Sequence, residues 1–258
     1  MTTAYAGGRV IPGFGGCNGC HSGGGFKMRI ANNLRIADIK DANPNPSHID
    51  CRACHQIHTS YTGKDWALET TAPVKLETVD ATFDVGKGNL CANCHQPLSA
   101  FPAAKDGKVS VTSTHWGAHH GPVATMLLGI GGGSGLVGKP SPHVAMVKDG
   151  CVTCHMGAAQ THDFTPRVAN CVACHADAKT LDVKGVQTEI EKKLEEVKAR
   201  LIAKKLLDAK GVIIVGDYPE AQAAALWNFL MVEEDKSMGV HNAAYARALL
   251  DAALAGLK

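Results

Sequence analysis

The sequence predicts a mainly α-helical fold with a large irregular fraction, closed by a C-terminal helical hairpin. Residues 1–180 are rich in Gly, Pro, Asn and Thr and show little sustained periodicity, which is typical of loops and short helices. Residues 181–258 instead repeat apolar positions at helical spacing. We therefore expect a single globular unit in which the helical region 181–258 packs on the region 1–180.

Three segments of the C-terminal region have patterns of regular structure. Apolar residues alternate with Glu, Lys and Arg over 186–207, which predicts an amphipathic helix. The apolar run 212–215 lies between two glycines and favours a strand. Pro219 suits the start of a second helix, through about residue 234, and a third helix is predicted over 242–257.

All ten cysteines of the chain belong to Cys-x-x-Cys pairs, and each of the five pairs is followed at once by histidine. Two thiols at this spacing can form thioether bonds with the two vinyl groups of one haem, and the next residue then directs its imidazole at the iron. A zinc site has no need of His at that position every time, and thioredoxin-type pairs occur singly. We therefore predict five covalently bound haem c groups. The attachment residues are Cys17, Cys20, Cys51, Cys54, Cys91, Cys94, Cys151, Cys154, Cys171 and Cys174, and the proximal ligands are His21, His55, His95, His155 and His175.

Thirteen histidines less the five proximal ones leave eight, which is enough to make every haem bis-histidine. The predicted distal ligands are His58, His143, His162, His241 and at least one of the pair His119 and His120. His48 and His115 are further candidates for which ligation and a surface role both stay open. Methionine is the other possible distal ligand, but with histidine in surplus we expect core packing for Met28, Met126, Met146, Met156, Met231 and Met238.

Charge, haem attachment and hydropathy indicate the partners and the cellular compartment to expect. The formal net charge of +2 gives no indication of nucleic-acid binding. Thioether attachment of haem is made outside the cytoplasm, so we expect a periplasmic or extracellular protein. Residues 1–16 contain no apolar stretch of the length that an export signal needs, and we expect the numbering to describe a mature chain. The sequence contains no run of 18 apolar residues, so no transmembrane segment is predicted.

The motifs and their surroundings resemble multihaem c-type cytochromes of metal-reducing and sulfur-cycling bacteria and archaea. The resemblance covers most of the chain and rests on residues 48–58, 115–122, 154–156 with 161–164, 227–229 and 240–250. It implies electron transfer through closely packed haems, with other redox proteins or extracellular electron acceptors as partners. Some of these relatives form extracellular filaments, so the resemblance also allows a homopolymer.

Part of the pattern also resembles pentahaem nitrite reductases. That family carries Lys instead of His after one Cys-x-x-Cys pair, whereas all five pairs end in His in this chain. We therefore expect an electron carrier and not an enzyme. The alternative is a reductase of nitrite, hydroxylamine or a sulfur oxyanion at one open haem. The electron donor and acceptor, the reduction potentials, the oligomeric state and the pairing of distal histidines with individual haems stay open.

Overall fold

Helices dominate the regular structure of the chain. The computed structural model describes residues 17–39 and 47–258, and these are mostly helical with few short strands and long irregular connections, which confirms the predicted fold class. Segment 1–16, on which the expectation about an export signal rests, lies outside the described residues. The α-helices are α1 (Asn18–His21), α2 (Gly23–Ala31), α3 (Cys51–Cys54), α4 (Asn89–Ala92), α5 (Val123–Leu128), α6 (Pro142–Met146), α7 (Cys151–His155), α8 (Val186–Ala203), α9 (Glu220–Asp235) and α10 (Ala243–Gly256).

Short elements fill much of the remaining chain. Single turns of 3-10 helix occur at Ile36–Asp38, Gly63–Trp66, Gly86–Gly88, Gly133–Gly135, Val168–Asn170 and Val183–Gly185. The strands are β1 (Val74–Lys75), β2 (Thr82–Phe83), β3 (Lys108–Val111) and β4 (Gly216–Pro219). They form two antiparallel pairs, β1 with β2 and β3 with β4.

The strand predicted over 212–215 is wrong in its position. The chain forms only an isolated bridge there, between Leu207 and Ile213, and strand β4 begins at Gly216. Strand β4 pairs with β3, in which Val109 and Val111 are buried and alternate with exposed neighbours. A strand needs a hydrogen-bonding partner, and β3 supplies that partner to 216–219 instead of to the apolar run.

The described backbone divides into two compact units. The first comprises residues up to 77 together with 82–94, and the second comprises 78–81 together with 95–258. In the second unit, residues that precede position 181, such as Val111 and Met126, share one buried core with the C-terminal helices. The assignment of haem binding to 1–180 and of a helical packing region to 181–258 stays a prediction.

The core of the second unit is built by α8, α9 and α10. Ile190, Leu194, Val197 and Leu201 recur every three or four residues along α8 and are all buried, which is the spacing that keeps apolar side chains on one face. The structure has three helices here, with ends within four residues of the predicted ones, and α9 begins directly after Pro219. Helix α10 begins after Asn242, whose Oδ1 accepts a hydrogen bond from the Tyr245 N–H at 3.1 Å.

In the first unit, a small apolar cluster packs around two of the motif cysteines. Phe26, Ala53 and Leu90 are buried together, and Cys54 and Cys94 pack against them. Of the described helices, none is both long and apolar enough to cross a membrane.

Candidate functional site

The Cys-x-x-Cys-His motifs fold as short helical turns in the first, second and fourth cases, as the end of helix α4 followed by a turn in the third, and as a hydrogen-bonded turn in the fifth. Residues at i, i+3 and i+4 of such a turn lie on one face, so both thiols and the imidazole point to the same side. The turn is closed by backbone hydrogen bonds, from the His55 N–H to the Cys51 carbonyl and from the His175 N–H to the Cys171 carbonyl, each 2.9 Å long. The local conformation therefore fits attachment of one planar ligand through two sulfurs and one nitrogen.

Within the first unit, the first and third motifs lie side by side. The buried Arg29 guanidinium donates to the Gly19 carbonyl at 3.2 Å and to the Asn93 carbonyl at 2.9 Å. A hydrogen bond between the thiols lowers the pKa of Cys20 and, together with burial, raises the pKa of Cys94. One buried arginine and two thiols thus hold the two motifs together.

Within the second unit, the fourth and fifth motifs are also neighbours. The Asn170 side chain donates from Nδ2 to the Cys154 carbonyl at 2.8 Å. Burial raises the pKa of the Cys154 thiol, and the nearby Cys171 thiolate raises it further. The short spacing of these two motifs in the sequence is therefore matched by contact in the structure.

Two pairs of imidazoles combine a motif histidine with a predicted distal histidine. The ring centroids of His155 and His241 lie 6.3 Å apart with an interplanar angle of 40°. The centroids of His143 and His175 also lie 6.3 Å apart, with their planes at 86°. In each pair, the two residues come from distant parts of the second unit and are brought together by its tertiary structure.

The separation within these pairs fits one metal ion between two imidazoles. Metal–nitrogen bonds of about 2.0 Å place the centroids of two imidazoles on opposite sides of one ion at about 6.2 Å. Both observed separations, 6.3 Å, agree with this value. The residues present at the fourth and fifth motifs therefore fit an iron that would be held between two imidazoles.

Hydrogen bonds to Nδ1 orient several of the candidate ligands. The motif histidines His55 and His155 have Nδ1 next to the backbone carbonyls of Trp66, at 2.7 Å, and Phe164, at 2.9 Å. A carbonyl accepts only from an N–H, so Nδ1 of His155 carries the proton and Nε2 is the nitrogen suited to a metal. The Trp66 carbonyl ends the 3-10 turn Gly63–Trp66 and the Phe164 carbonyl lies in a loop, each after its own motif, and no sequence signal identifies them.

In two predicted distal histidines, the group next to Nδ1 is a carboxylate and not a backbone carbonyl. Nδ1 of His120 lies 2.7 Å from Glu234, and Nδ1 of His241 lies 2.7 Å from Asp235. Burial lowers the pKa of His241, but the charge and hydrogen bond of Asp235 outweigh that effect and raise it above its usual value. Glu234 and Asp235 were not identified from the sequence. The signal that could have found them is the run of three acidic residues, 233–235, at a helix end shortly before His241.

His95, the last residue of the third motif, belongs to the second unit. Burial lowers the pKa of His95, and the nearby imidazoles of His155 and His241 lower it further. Burial likewise lowers the pKa of His143, followed by the effect of His175. The second unit therefore concentrates five candidate ligands in one region.

The remaining candidates are placed beside aromatic rings or at the surface. His58 stacks on Tyr61 with centroids 5.4 Å apart, and His162 contacts Phe164 at 6.2 Å. His119 lies 5.4 Å from His120. His48 and His115 are exposed. The roles of these five residues as haem ligands stay predictions.

An open cleft of about 380 Å³ adjoins the fifth motif. Its lining includes Cys174 and His175 together with two lysines and two aspartates, Lys179, Lys184, Asp177 and Asp182. Ammonium groups suit the carboxylates that a haem carries at its edge.

Comparisons with known proteins bear on the fold of the chain. No family model matches the chain, and no protein with a curated description matches it in sequence. The crystal structure of the outer cell wall cytochrome OcwA superimposes with a TM-score of 0.60 and 25% identity over 94% of this chain. The undecahaem cytochrome from the S-layer of Carboxydothermus ferrireducens superimposes with a TM-score of 0.56 and 17% identity over 93%. The chain spans 45% and 37% of the lengths of these two proteins.

These similarities define the class of fold. The mostly helical chain with its irregular connections has the fold of multihaem cytochromes. The resemblance inferred from the motifs is thereby confirmed at the level of the fold.

Proposed function

We propose that this chain is an electron-transfer multihaem cytochrome that holds five haem c groups, most of them with two axial histidines. The observation that carries the proposal is the pair of 6.3 Å separations between a motif histidine and a distal histidine. It is supported by five Cys-x-x-Cys-His motifs in one chain and by the similarity in fold to two cytochromes.

The geometry supports a specific set of ligands in the second unit. His155 and His241 would hold the haem bound to Cys151 and Cys154, and His175 with His143 would hold the haem bound to Cys171 and Cys174. We also propose His120 as a ligand, because Glu234 fixes its Nδ1 and directs Nε2 away.

The proposed chemistry is transfer of single electrons without bond making. Haem iron supplies a one-electron couple, and two imidazoles leave no coordination position for a substrate. The contribution of this chain is to attach the groups, fix their ligands and hold neighbouring motifs close. Contact between the fourth and fifth motifs and between the first and third supports short distances between the bound groups.

The proposed setting is extracellular or periplasmic, with other redox proteins or extracellular acceptors as partners. Outer cell wall and S-layer are the locations that the names of the two similar cytochromes state. A homopolymer stays a prediction, and negative-stain microscopy at high protein concentration decides between filaments and compact particles.

The function is tested by intact mass and protein-film voltammetry on the purified holoprotein. We expect a mass increase of five haems and reversible waves from all of them, with no catalytic current when nitrite is added. A nitrite-dependent catalytic current would instead establish the reductase alternative, and fewer than five haems would contradict the proposed stoichiometry.

A further inference from the structure

Two consecutive carboxylates end helix α9, and each contacts a different candidate haem ligand. The Glu234 carboxylate lies 2.7 Å from Nδ1 of His120, and the Asp235 carboxylate lies 2.7 Å from Nδ1 of His241. The motif histidine His155, in contrast, donates from Nδ1 to a neutral backbone carbonyl. The distal and proximal sides therefore differ in the charge of the group behind the imidazole.

The contact of Asp235 is reinforced by the turn that follows the helix. Ser237 donates its hydroxyl to the second oxygen of Asp235 and accepts the His241 backbone N–H at 3.1 Å. The side chain of Asp235 is 1% exposed, whereas that of Glu234 is 23% exposed and also lies 3.9 Å from Lys236. Asp235 is thus the more enclosed of the two charges and has no cation beside it in the described part of the chain other than its histidine.

A carboxylate behind an imidazole has two effects on a metal that the imidazole binds. It fixes the ring with Nε2 directed at the metal, and it makes that nitrogen a stronger donor. A stronger donor and a nearby negative charge both favour ferric over ferrous iron, which lowers the reduction potential.

We infer that Glu234 and Asp235 are positioning residues that orient His120 and His241 toward two haem irons and lower the reduction potentials of those two haems. This inference rests on the proposed function. The effect of Asp235 exceeds that of Glu234 because solvent screens a buried charge less than an exposed one. The two carboxylates at the end of α9 thereby lower two of the five reduction potentials below the values expected with a neutral hydrogen-bond acceptor at Nδ1.

The test is a redox titration of the holoprotein in which optical and electron paramagnetic resonance spectra report the oxidation state of each haem. We compare the variants Asp235→Asn and Glu234→Gln with the matched control Glu233→Gln. Glu233 precedes the pair on the same helix, and the contacts to His120 and His241 come from Glu234 and Asp235 instead. Each variant removes one negative charge and keeps the side-chain shape.

We expect Asp235→Asn to raise the potential of one haem, Glu234→Gln to raise that of another by less, and Glu233→Gln to leave all five at the wild-type values. Asp235→Glu restores the charge and returns the potential toward wild type. The inference is overturned if the haem reduction potentials of Asp235→Asn and Glu234→Gln equal those of the control Glu233→Gln. If Asp235→Asn assembles poorly, Glu234→Gln decides alone, because His120 is 72% exposed and tolerates change.

The wild-type spectra separate this inference from the proposed function. Low-spin haems in the wild type with unmoved potentials in the variants contradict only the roles of Glu234 and Asp235. Absence of low-spin haems in the wild type contradicts the proposed function itself.

Discussion

The imidazoles of His155 and His241 are neighbours, with their ring centroids 6.3 Å apart, although one lies in the fourth motif and the other just before the last helix. The next residue, Asn242, is buried and donates from Nδ2 to the carbonyls of Met126, at 3.1 Å, and Lys139, at 2.9 Å. The position of His241 is therefore set by the packing of helix α10 into the second unit.

Replacing His241 by Ala should leave one haem iron with a free coordination position. An iron that loses one of two axial imidazoles becomes five-coordinate or binds water, and it changes from low-spin to high-spin. We expect one fifth of the haem signal to become high-spin in electron paramagnetic resonance spectra, with the other four haems unchanged. An unchanged spectrum would mean that His241 is not a ligand.

His241→Met distinguishes a lost ligand from a damaged fold. A thioether can replace the imidazole and raises the reduction potential of the haem that it ligates. We expect this variant to remain largely low-spin, with one haem at a higher potential. High-spin spectra in both variants together with lost secondary structure would point to misfolding instead.

Replacing His143 by Ala should open a different haem from the one opened by His241→Ala. His143 pairs with His175 of the fifth motif, whereas His241 pairs with His155 of the fourth. We therefore expect the double variant to contain two high-spin haems, measured by the same spectra and by binding of carbon monoxide to the reduced protein. A double variant with only one such haem would contradict the assignment of separate pairs.

The turn before His241 depends on a glycine. Gly239 has a φ of 87°, and a Cβ at this position would lie 2.8 Å from Cγ1 of Ile190 in the core. Gly135 has a φ of 74° with open space around it, so Gly135→Ala measures backbone strain without a clash. We expect Gly135→Ala to cost about 1 kcal/mol in the free energy of unfolding and Gly239→Ala to cost more. Equal costs, measured by denaturant titration, would show that the contact with Ile190 relaxes freely.

Tyr245 connects the last helix to the glycine-rich loop through its hydroxyl. This oxygen accepts the Gly132 N–H and donates to the Leu136 carbonyl, each at 2.9 Å. Tyr245→Phe leaves both groups without that partner, so we expect a loss of about 1 to 3 kcal/mol in the free energy of unfolding. The control Tyr61→Phe changes a residue that is 82% exposed and should cost less than about 0.5 kcal/mol.

Alkaline pH should weaken the fold through the same residue. Burial raises the pKa of Tyr245 to about 12, against an ordinary value of 10.0. Its protonated phenol therefore contributes stability fully below pH 10, and this contribution is lost as the pH rises toward 12. The Tyr245→Phe variant should lose less stability than the wild type over this interval in denaturant titrations at each pH. Parallel losses in the two proteins would assign the alkaline effect to other groups.

The sequence predicted the local parts of the site but not its pairings. The haem motifs follow from fixed spacing within one helical turn, and the tail helices follow from periodicity, as along Ile190 to Leu201 on α8. The partnership of His155 with His241 depends on contacts between remote segments, which no local pattern records. The same holds for Asp235 behind His241, because a carboxylate at a helix end is usually only solvated.

The misplaced strand has a similar cause. The run 212–215 has the composition of a strand, but Val212 and Val215 are 44% and 54% exposed and have no strand beside them in the described chain. Pairing with β3 selects Gly216–Pro219 instead. Strand propensity acts only where a partner is available, and the partner comes from a distant part of the chain.

The spin state of the purified ferric protein, measured by electron paramagnetic resonance with and without nitrite, tests the central claim most directly. Bis-histidine ligation predicts that all five haems are low-spin and that nitrite leaves their signals unchanged. A high-spin signal in the wild-type protein that shifts on adding nitrite would contradict the claim, because it would reveal an iron that is open to substrate.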